Sequence, residues 1–223
     1  MEFDRYGETY EHAVEHAIGF AHKEHDFYIE AKARRLVALA QRHLGGGRPR
    51  ALDVGCGIGL VDRHLSSAFE LHGVDVSPAM VERARASNPD VEYALSEERH
   101  LPHDDGDFDL AFAVCVLHHV ARTDRLPLLA EMRRVVRPGG LVAVFEHNPL
   151  NPLTRRVVRT CAFDEDVELI GRRALERLFG GAGLDVVGAE YLLFVPWRAD
   201  VLERTLRRLP LGAQYVVAGR RLS

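Results

Sequence analysis

The sequence predicts an α/β fold of the doubly wound type, in which a mostly parallel sheet carries helices on both faces. From residue 51 onward, short apolar runs alternate with stretches of helical periodicity, and this alternation is typical of parallel sheets. Apolar residues make up 47% of the 223 residues, which is enough to bury a core. No Gly/Ser/Pro-rich linker interrupts the pattern, so we expect one domain over residues 1–223.

Spacing and turn residues define the predicted elements. Residues 1–47 are expected to form an N-terminal helical cap that Gly45, Gly46 and Gly47 end. Residues 48–223 then form the core, with a helical insertion at 148–182 that begins in a loop with two prolines. Strands are predicted at 51–54, 70–76, 91–95, 108–114, 141–146, 184–196 and 214–220, helices at 60–67, 78–86, 126–136, 153–160, 172–180 and 199–209, and a turn at 138–140.

Composition and charge argue against several classes of function. The formal net charge of −4 disfavours a nucleic-acid partner. No apolar run approaches the roughly 18 residues of a membrane helix, and the polar N-terminus lacks a signal-peptide stretch, so we expect a cytoplasmic protein without a membrane partner. Cys56, Cys115 and Cys161 form no CxxC pair, which predicts neither a disulfide framework nor a metal site. We expect a monomer or a homodimer.

The strongest local signal is the glycine-rich loop LDVGCGIG at 52–59, which follows a predicted strand and opens a predicted helix. Glycines let the backbone turn tightly and let a ligand approach closely. Asp75 ends the next strand, 20 residues after Gly55. A carboxylate there can accept hydrogen bonds from both ribose hydroxyls of an adenosine. The alternative interpretation is a tight strand-to-helix turn followed by a surface aspartate.

Two features of this loop favour S-adenosylmethionine over NAD. The dinucleotide pattern needs its third glycine where this chain has Leu60, whereas Gly59 comes one residue earlier. Asp53 stands before the first glycine, where an acid suits a cationic amino acid chain better than a pyrophosphate.

Four sequence blocks carry a family resemblance: LDVGCGIG at 52–59, GVDVSPAMVERAR at 73–85, LPHDDGDFDLAFAVCVLHHV at 101–120 and RRVVRPGGLVAVFEHN at 133–148. With them the sequence resembles the class I S-adenosylmethionine-dependent methyltransferases, in particular the small-molecule branch with an LHHV segment after the fourth strand. The resemblance implies a seven-stranded Rossmann-like sheet with an antiparallel last strand. It also implies S-adenosylmethionine as cofactor and S-adenosylhomocysteine as product.

The same resemblance implies a set of cofactor contacts. The loop would line the methionine end, Asp75 would bind the ribose, and Val76 would pack beside the adenine. Relatives have an acid near the adenine amino group where this chain has Glu97 and Glu98. Cys115 would lie under the methionine moiety, with the next two residues near the transferred methyl. The full expected set is Asp53, Gly55, Cys56, Gly57, Gly59, Asp75, Val76, Glu97, Glu98 and Cys115.

Three histidines follow predicted strands at the edge where open α/β sheets bind ligands. His118 and His119 follow the fourth strand, and His147 ends the fifth. An imidazole can accept the proton of a hydroxyl acceptor, so these residues are candidate general bases, with His119 and His147 the best two. The alternative is that they pack the loops, because alignment of the reactants alone can carry methyl transfer.

The small-molecule acceptor is expected to contact segments outside the shared core. Tyr6 and Tyr10 belong to an aromatic N-terminal stretch that predicts a lid, or else a helix packed on the sheet. Asn148 could bind a polar acceptor or cap the next helix, and Arg155 could anchor an anionic one or lie on a solvated helix face.

Methyl transfer to O, N or C of a small metabolite is the leading hypothesis. The first alternative is a protein of this fold that binds S-adenosylmethionine but catalyses another reaction or only binds ligand. An NAD-dependent oxidoreductase is disfavoured by Leu60, and an RNA methyltransferase by the acidic charge balance.

Overall fold

A seven-stranded sheet organises the computed structural model, which describes residues 22–160, 167–193 and 205–223. Its strands are β1 (Arg50–Val54), β2 (Glu70–Asp75), β3 (Glu92–Leu95), β4 (Phe108–Val114), β5 (Val136–His147), β6 (Leu184–Leu192) and β7 (Gln214–Arg221). Their order is β3-β2-β1-β4-β5-β7-β6, and β7 runs antiparallel to both of its neighbours. The predicted fold class, including the antiparallel last strand, is confirmed.

Helices cover both faces of this sheet. They are α1 (His22–Leu44), α2 (Pro78–Ser87), α3 (Arg125–Val135), α4 (Pro152–Thr160) and α5 (Arg172–Gly181). Helix α1 buries one stripe against the sheet, because Ile29, Ala33, Leu36 and Ala40 recur at helical spacing. Helix α2 packs in the same apolar cluster, whereas α3 and α5 bury their apolar faces in the cluster on the opposite side. None of the helices in the described ranges is apolar over a bilayer's thickness.

The strand order creates a crevice at the carboxyl ends of β1 and β4. From β1 the chain crosses to β2 on one side, while β4 and β5 lie on the other, so the order reverses between β1 and β4. Open α/β sheets bind ligands at such a reversal. The glycine loop leaves β1 at this point, and the 115–120 segment leaves β4 beside it.

Two predicted elements are wrong in detail. The helix expected at 60–67 is a 3-10 turn at Asp62–His64, flanked by further turns. Val61, Leu65 and Phe69 are buried four residues apart, and this spacing does not distinguish an α-helix from a run of tighter turns. The turn expected at 138–140 lies inside β5 as a bulge. Phe108 of β4 pairs with Val136 and Leu110 with Leu141, so the intervening residues of β5 loop out.

Part of the predicted N- and C-terminal structure lies outside the described residues. Tyr6 and Tyr10 are outside the described residues, and so are residues 194–204. The latter range includes the end of the strand predicted at 184–196 and most of the helix predicted at 199–209. The described part of the predicted cap is α1, whose buried stripe fits the alternative of a helix packed on the sheet.

Asn148 joins the loop after β5 to the segment before β7. Its side-chain amide donates hydrogen bonds to the carbonyls of Pro210, at 3.1 Å, and Gly212, at 2.8 Å. Its Oδ1 accepts from the amide of Leu150 at 3.0 Å. The residue is 1% exposed, so the side chain satisfies backbone groups that water cannot reach.

Replacing this side chain is expected to destabilise the fold. Asn148→Ala leaves buried carbonyls without donors and should lower the free energy of unfolding by about 1–3 kcal/mol, measured by chemical denaturation. Leu150→Ala, at a neighbouring position that is 66% exposed, is the control and should change that free energy by less than about 0.5 kcal/mol. Equal effects of the two substitutions would contradict the structural role.

Candidate functional site

The glycine loop after β1 is held against β2 by backbone hydrogen bonds. The amides of Gly55 and Cys56 both donate to the carbonyl of Val74, at 2.8 and 3.0 Å. Gly55, Gly57 and Gly59 have positive φ angles of 76°, 54° and 74°, a region that side chains other than glycine's rarely adopt. A Cβ at Gly57 would meet no protein atom within 4 Å, so the loop faces open space there.

Asp75 ties the loop to the end of β2. Its carboxylate accepts a hydrogen bond from the amide of Gly57 on one oxygen and from the amide of Ser77 on the other, both at 2.9 Å. The half-buried carboxylate is therefore fixed beside the open face of the loop, and a carboxylate oxygen can accept more than one hydrogen bond.

Asp53 lies beneath the loop beside a second acid, Asp62. Burial, together with the charge of Asp62 and their mutual hydrogen bond, raises the pKa of Asp53 well above its ordinary range. Burial also raises the pKa of Asp62, to about 6, although the O–H of Tyr93 donates to it at 2.6 Å and opposes the rise. The thiol of Cys56 is buried next to these acids, and burial raises its pKa as well.

A cluster of histidines surrounds a buried carboxylate after β4 and at the end of β5. Glu146 is fully buried and accepts hydrogen bonds from the amide of Leu117, at 2.8 Å, and from His118 Nδ1, at 2.6 Å. Burial alone would raise the pKa of Glu146, but the attraction of His118 outweighs it and the pKa is lowered. This pair fixes the His118 ring, whose side chain is 1% exposed.

The other two histidines pack on that fixed ring and are half-buried. The ring centroid of His118 lies 4.1 Å from that of His119 and 5.2 Å from that of His147. The amide nitrogen of Gln214, on β7, lies 3.3 Å from His147 Nδ1 and 3.3 Å from the sulfur of Cys115. Cys115 itself has a positive φ of 59°, which turns the chain sharply as it leaves β4.

The central part of the chain matches a known family. Residues 52–144 match a family model described as a methyltransferase domain. The matched segment runs from the glycine loop after β1 to β5. The family and its structural neighbours imply S-adenosylmethionine as the cofactor.

The chain is also similar in sequence to curated relatives and in fold to a solved structure. The chain is 36% identical over 120 residues to the 2-methyl-6-phytyl-1,4-hydroquinone methyltransferase of Synechocystis, a match covering 48% of this chain and 37% of that protein. It is 31% identical over 132 residues to the malonyl-[acyl-carrier protein] O-methyltransferase of Salmonella typhimurium, covering 59% and 52% of the two chains. The matches thus span about half or less of these relatives' own lengths. A SAM-dependent methyltransferase structure from Thermotoga maritima superposes with a TM-score of 0.66 at 22% identity, covering 91% of this chain and 96% of that one.

The geometry of the crevice fits S-adenosylmethionine. The open space at Gly57 admits a ligand against the backbone, and Asp75 presents acceptor oxygens next to it. Beneath the loop, Oδ1 of Asp53 is buried without a hydrogen-bond partner that the described residues provide. A buried acid below and a carboxylate at the rim suit a nucleoside with a positively charged amino acid chain.

Other predicted site residues are exposed or bond backbone groups. Glu97 and Glu98 are exposed after β3, whose end lies beside Asp75, and Arg155 is exposed on α4. Asn148 bonds backbone groups, which gives it a structural role, and its contact with an acceptor stays a prediction. Val76 follows Asp75 and is half-buried.

Four further residues build this site and were not predicted from the sequence. Asp62, Tyr93 and Asn88 lie under the loop, where a Cβ at Gly59 would meet the Asn88 amide at 2.4 Å and the Tyr93 hydroxyl at 2.6 Å. Gln214 reaches the histidines only because β7 pairs with β5 in a register that places it opposite His147. A polar residue inside an apolar strand or turn, as at 62 and 214, was the one available signal.

A methyl group added at Gly57 tests whether the glycine loop binds the ligand. Gly57→Ala places a Cβ on the open side of the loop and should weaken S-adenosylhomocysteine binding about tenfold or more, a loss of at least ~1.4 kcal/mol, measured by calorimetry. The positive φ should also cost about 1–2 kcal/mol of stability.

The matched control is Gly45→Ala. Gly45 has a φ of 86° and likewise no atom within 4 Å of an added Cβ, but it follows α1, away from the loop. This variant should lose similar stability and keep wild-type affinity. Equal affinity losses in both variants would show that strain, not occlusion of a ligand, is responsible.

Removal of the Asp75 carboxylate tests the ribose site. Asp75→Ala deletes the acceptor for the Gly57 and Ser77 amides and should abolish measurable nucleoside binding, with a stability loss of about 1–3 kcal/mol. Asp90→Ala, at an exposed aspartate of the turn after α2, should change neither property. Calorimetry that gives Asp75→Ala near-native affinity would refute the site.

Proposed function

We propose that this protein transfers the methyl group of S-adenosylmethionine to an O, N or C atom of a small-molecule acceptor. The observation that carries the proposal is the crevice between β1 and β4, where the glycine loop and Asp75 lie beside the 115–120 segment, whose His118 and His119 pack with His147 of β5. Both curated relatives described above are named as methyltransferases. The family match at 52–144 includes the glycine loop and Asp75.

When bound, the cofactor supplies an activated methyl on a positively charged sulfur. The protein then has to hold and align the two reactants, which alone can remove a large part of the barrier. The glycine loop and Asp75 would hold the nucleoside end, since the loop is hydrogen-bonded to Val74 and the Asp75 carboxylate is bonded on both oxygens.

His119 and His147 are the candidate bases for an acceptor that must lose a proton. Both are half-buried on the ring of His118, whereas His118 itself is buried against Glu146. The negative charge of Glu146 acts on His147 as well as on His118, so a proton gained by His147 is stabilised by a nearby buried carboxylate. The buried pair therefore positions and polarises the two accessible rings.

An acceptor screen tests the proposed function. The full chain is incubated with S-adenosylmethionine and with phenols, alcohols, amines, carboxylic acids and activated carbon acids in turn, and S-adenosylhomocysteine is quantified by mass spectrometry. We expect product with at least one class of acceptor and none from Gly57→Val. Cofactor that binds but stays unconsumed with every class would instead favour a binding or non-methylating role.

The histidine hypothesis is tested with the acceptor that the screen identifies. His147→Ala should reduce turnover about 100-fold, the order expected for losing a general base, while the affinity for S-adenosylhomocysteine stays within twofold of wild type. His103→Gln is the control, because the His103 ring lies 4.9 Å from that of Phe108, at the opposite end of β4. Unchanged turnover in His147→Ala would remove His147 as the base.

A further inference from the structure

Two carboxyl groups are buried together under the glycine loop. Asp53 is 3% exposed and Asp62 is fully buried, and their side chains are hydrogen-bonded to each other. A Cβ on Gly59 would lie 3.4 Å from Oδ2 of Asp62, so this acid lies directly against the loop. We call Asp53 and Asp62 the buried acid pair.

Among the described residues, no positively charged side chain faces the buried acid pair and offsets its negative charge. The side chains acting on its charge are Asp75 at the end of β2, Cys56 in the loop and Tyr93 on β3. Oδ1 of Asp53 and Oδ1 of Asp62 are both buried without a hydrogen-bond donor from the described residues. Two ionised carboxylates at such a place would repel each other strongly.

The hydrogen bonds indicate how the pair shares one proton. Tyr93 donates its O–H to Oδ2 of Asp62 at 2.6 Å, which favours the ionised form of Asp62. Asp53 receives no comparable donor and is left as the protonated partner. The pKa of Asp62, at about 6, and the higher pKa of Asp53 agree with this assignment.

We propose that the buried acid pair gives up its shared proton when the positively charged methionine chain of the cofactor binds against the loop. This inference rests on the proposed function, because it takes S-adenosylmethionine as the ligand. The O–H bond of Asp53 breaks, the proton passes to the buffer, and the charge of the pair changes from −1 to −2. The added negative charge is stabilised by the incoming cation. Asp62 acts through Asp53 and is a positioning residue.

The expected signature is proton release linked to binding. The full chain is titrated with S-adenosylmethionine, without an acceptor, by calorimetry between pH 6 and 7, in buffers that differ in ionisation enthalpy. This range keeps the ligand's own amino group protonated, since such groups titrate near pH 8. We expect about 0.5–1 proton released per ligand bound and an affinity that rises with pH by up to tenfold per unit.

A ligand lacking the charged chain provides the internal control. 5′-Methylthioadenosine keeps the adenine and the ribose but has no amino acid chain, so it should bind without releasing a proton. Asp62→Asn provides the matched protein variant, since an amide of the same shape removes the neighbouring charge. Burial still raises the pKa of Asp53 in this variant, but the contribution of Asp62 is gone, so fewer protons should be released per ligand than by wild type, with a weaker dependence of affinity on pH.

The outcomes separate this inference from the proposed function. S-Adenosylmethionine that binds wild type without proton release, or equal release with both ligands, overturns the role of the buried acid pair and leaves the cofactor site standing. Failure of both ligands to bind overturns the cofactor site and the inference with it. The wild-type titration is sufficient by itself, so an Asp62→Asn chain that fails to fold does not affect the test.

Discussion

The hydrogen bond from the amide of Gly57 to the carboxylate of Asp75 fixes the glycine loop after β1 against the end of β2, and the rest of the site depends on it. The loop leaves β1 as β2 ends, because Val54 and Val74 are paired in register. The carbonyl of Val74 holds the start of the loop and Asp75 holds its middle. These contacts need positive φ angles that glycine adopts at little cost. The bend therefore exposes backbone, not side chains, to the crevice.

Charge explains why this crevice suits a sulfonium nucleoside better than a dinucleotide. Asp53, Asp62 and Asp75 surround the loop, and Glu146 lies buried across the crevice. A pyrophosphate would place negative charge against these acids, whereas a methionine chain with its ammonium and sulfonium would place positive charge there. The local sequence pattern, in which Leu60 replaces a glycine, and the electrostatics of the folded chain agree on this point.

The histidine cluster shows how the fold brings distant residues together around one carboxylate. The 115–120 segment contributes His118 and His119, β5 contributes Glu146 and His147, and β7 contributes Gln214. Arg125, at the start of α3, donates to the carbonyls of Leu117 and Val120, both at 3.0 Å, and so fixes the loop that carries the first two histidines. The antiparallel insertion of β7 beside β5 thereby supplies a polar contact that five parallel strands alone would lack.

The features predicted correctly from the sequence are those that residues close together in the chain determine. The glycine loop, Asp75 and the exact span of β4 follow from residues near one another in the chain, and the fold class follows from their alternation. The structural role of Asn148 depends on residues 62 and 64 positions away, and the position of Gln214 depends on strand register, so no local pattern contains either. Asp62 was missed because the segment after the loop was expected to be an ordinary helix, in which an aspartate would face solvent.

The most direct test of the account is a crystal structure of the full chain grown with S-adenosylhomocysteine. The account predicts electron density for the nucleoside along the glycine loop, with both ribose hydroxyls on the carboxylate of Asp75 and the amino acid chain above Asp53. Density elsewhere on the surface, or a crevice closed by side chains while the ligand is bound in solution, would contradict it.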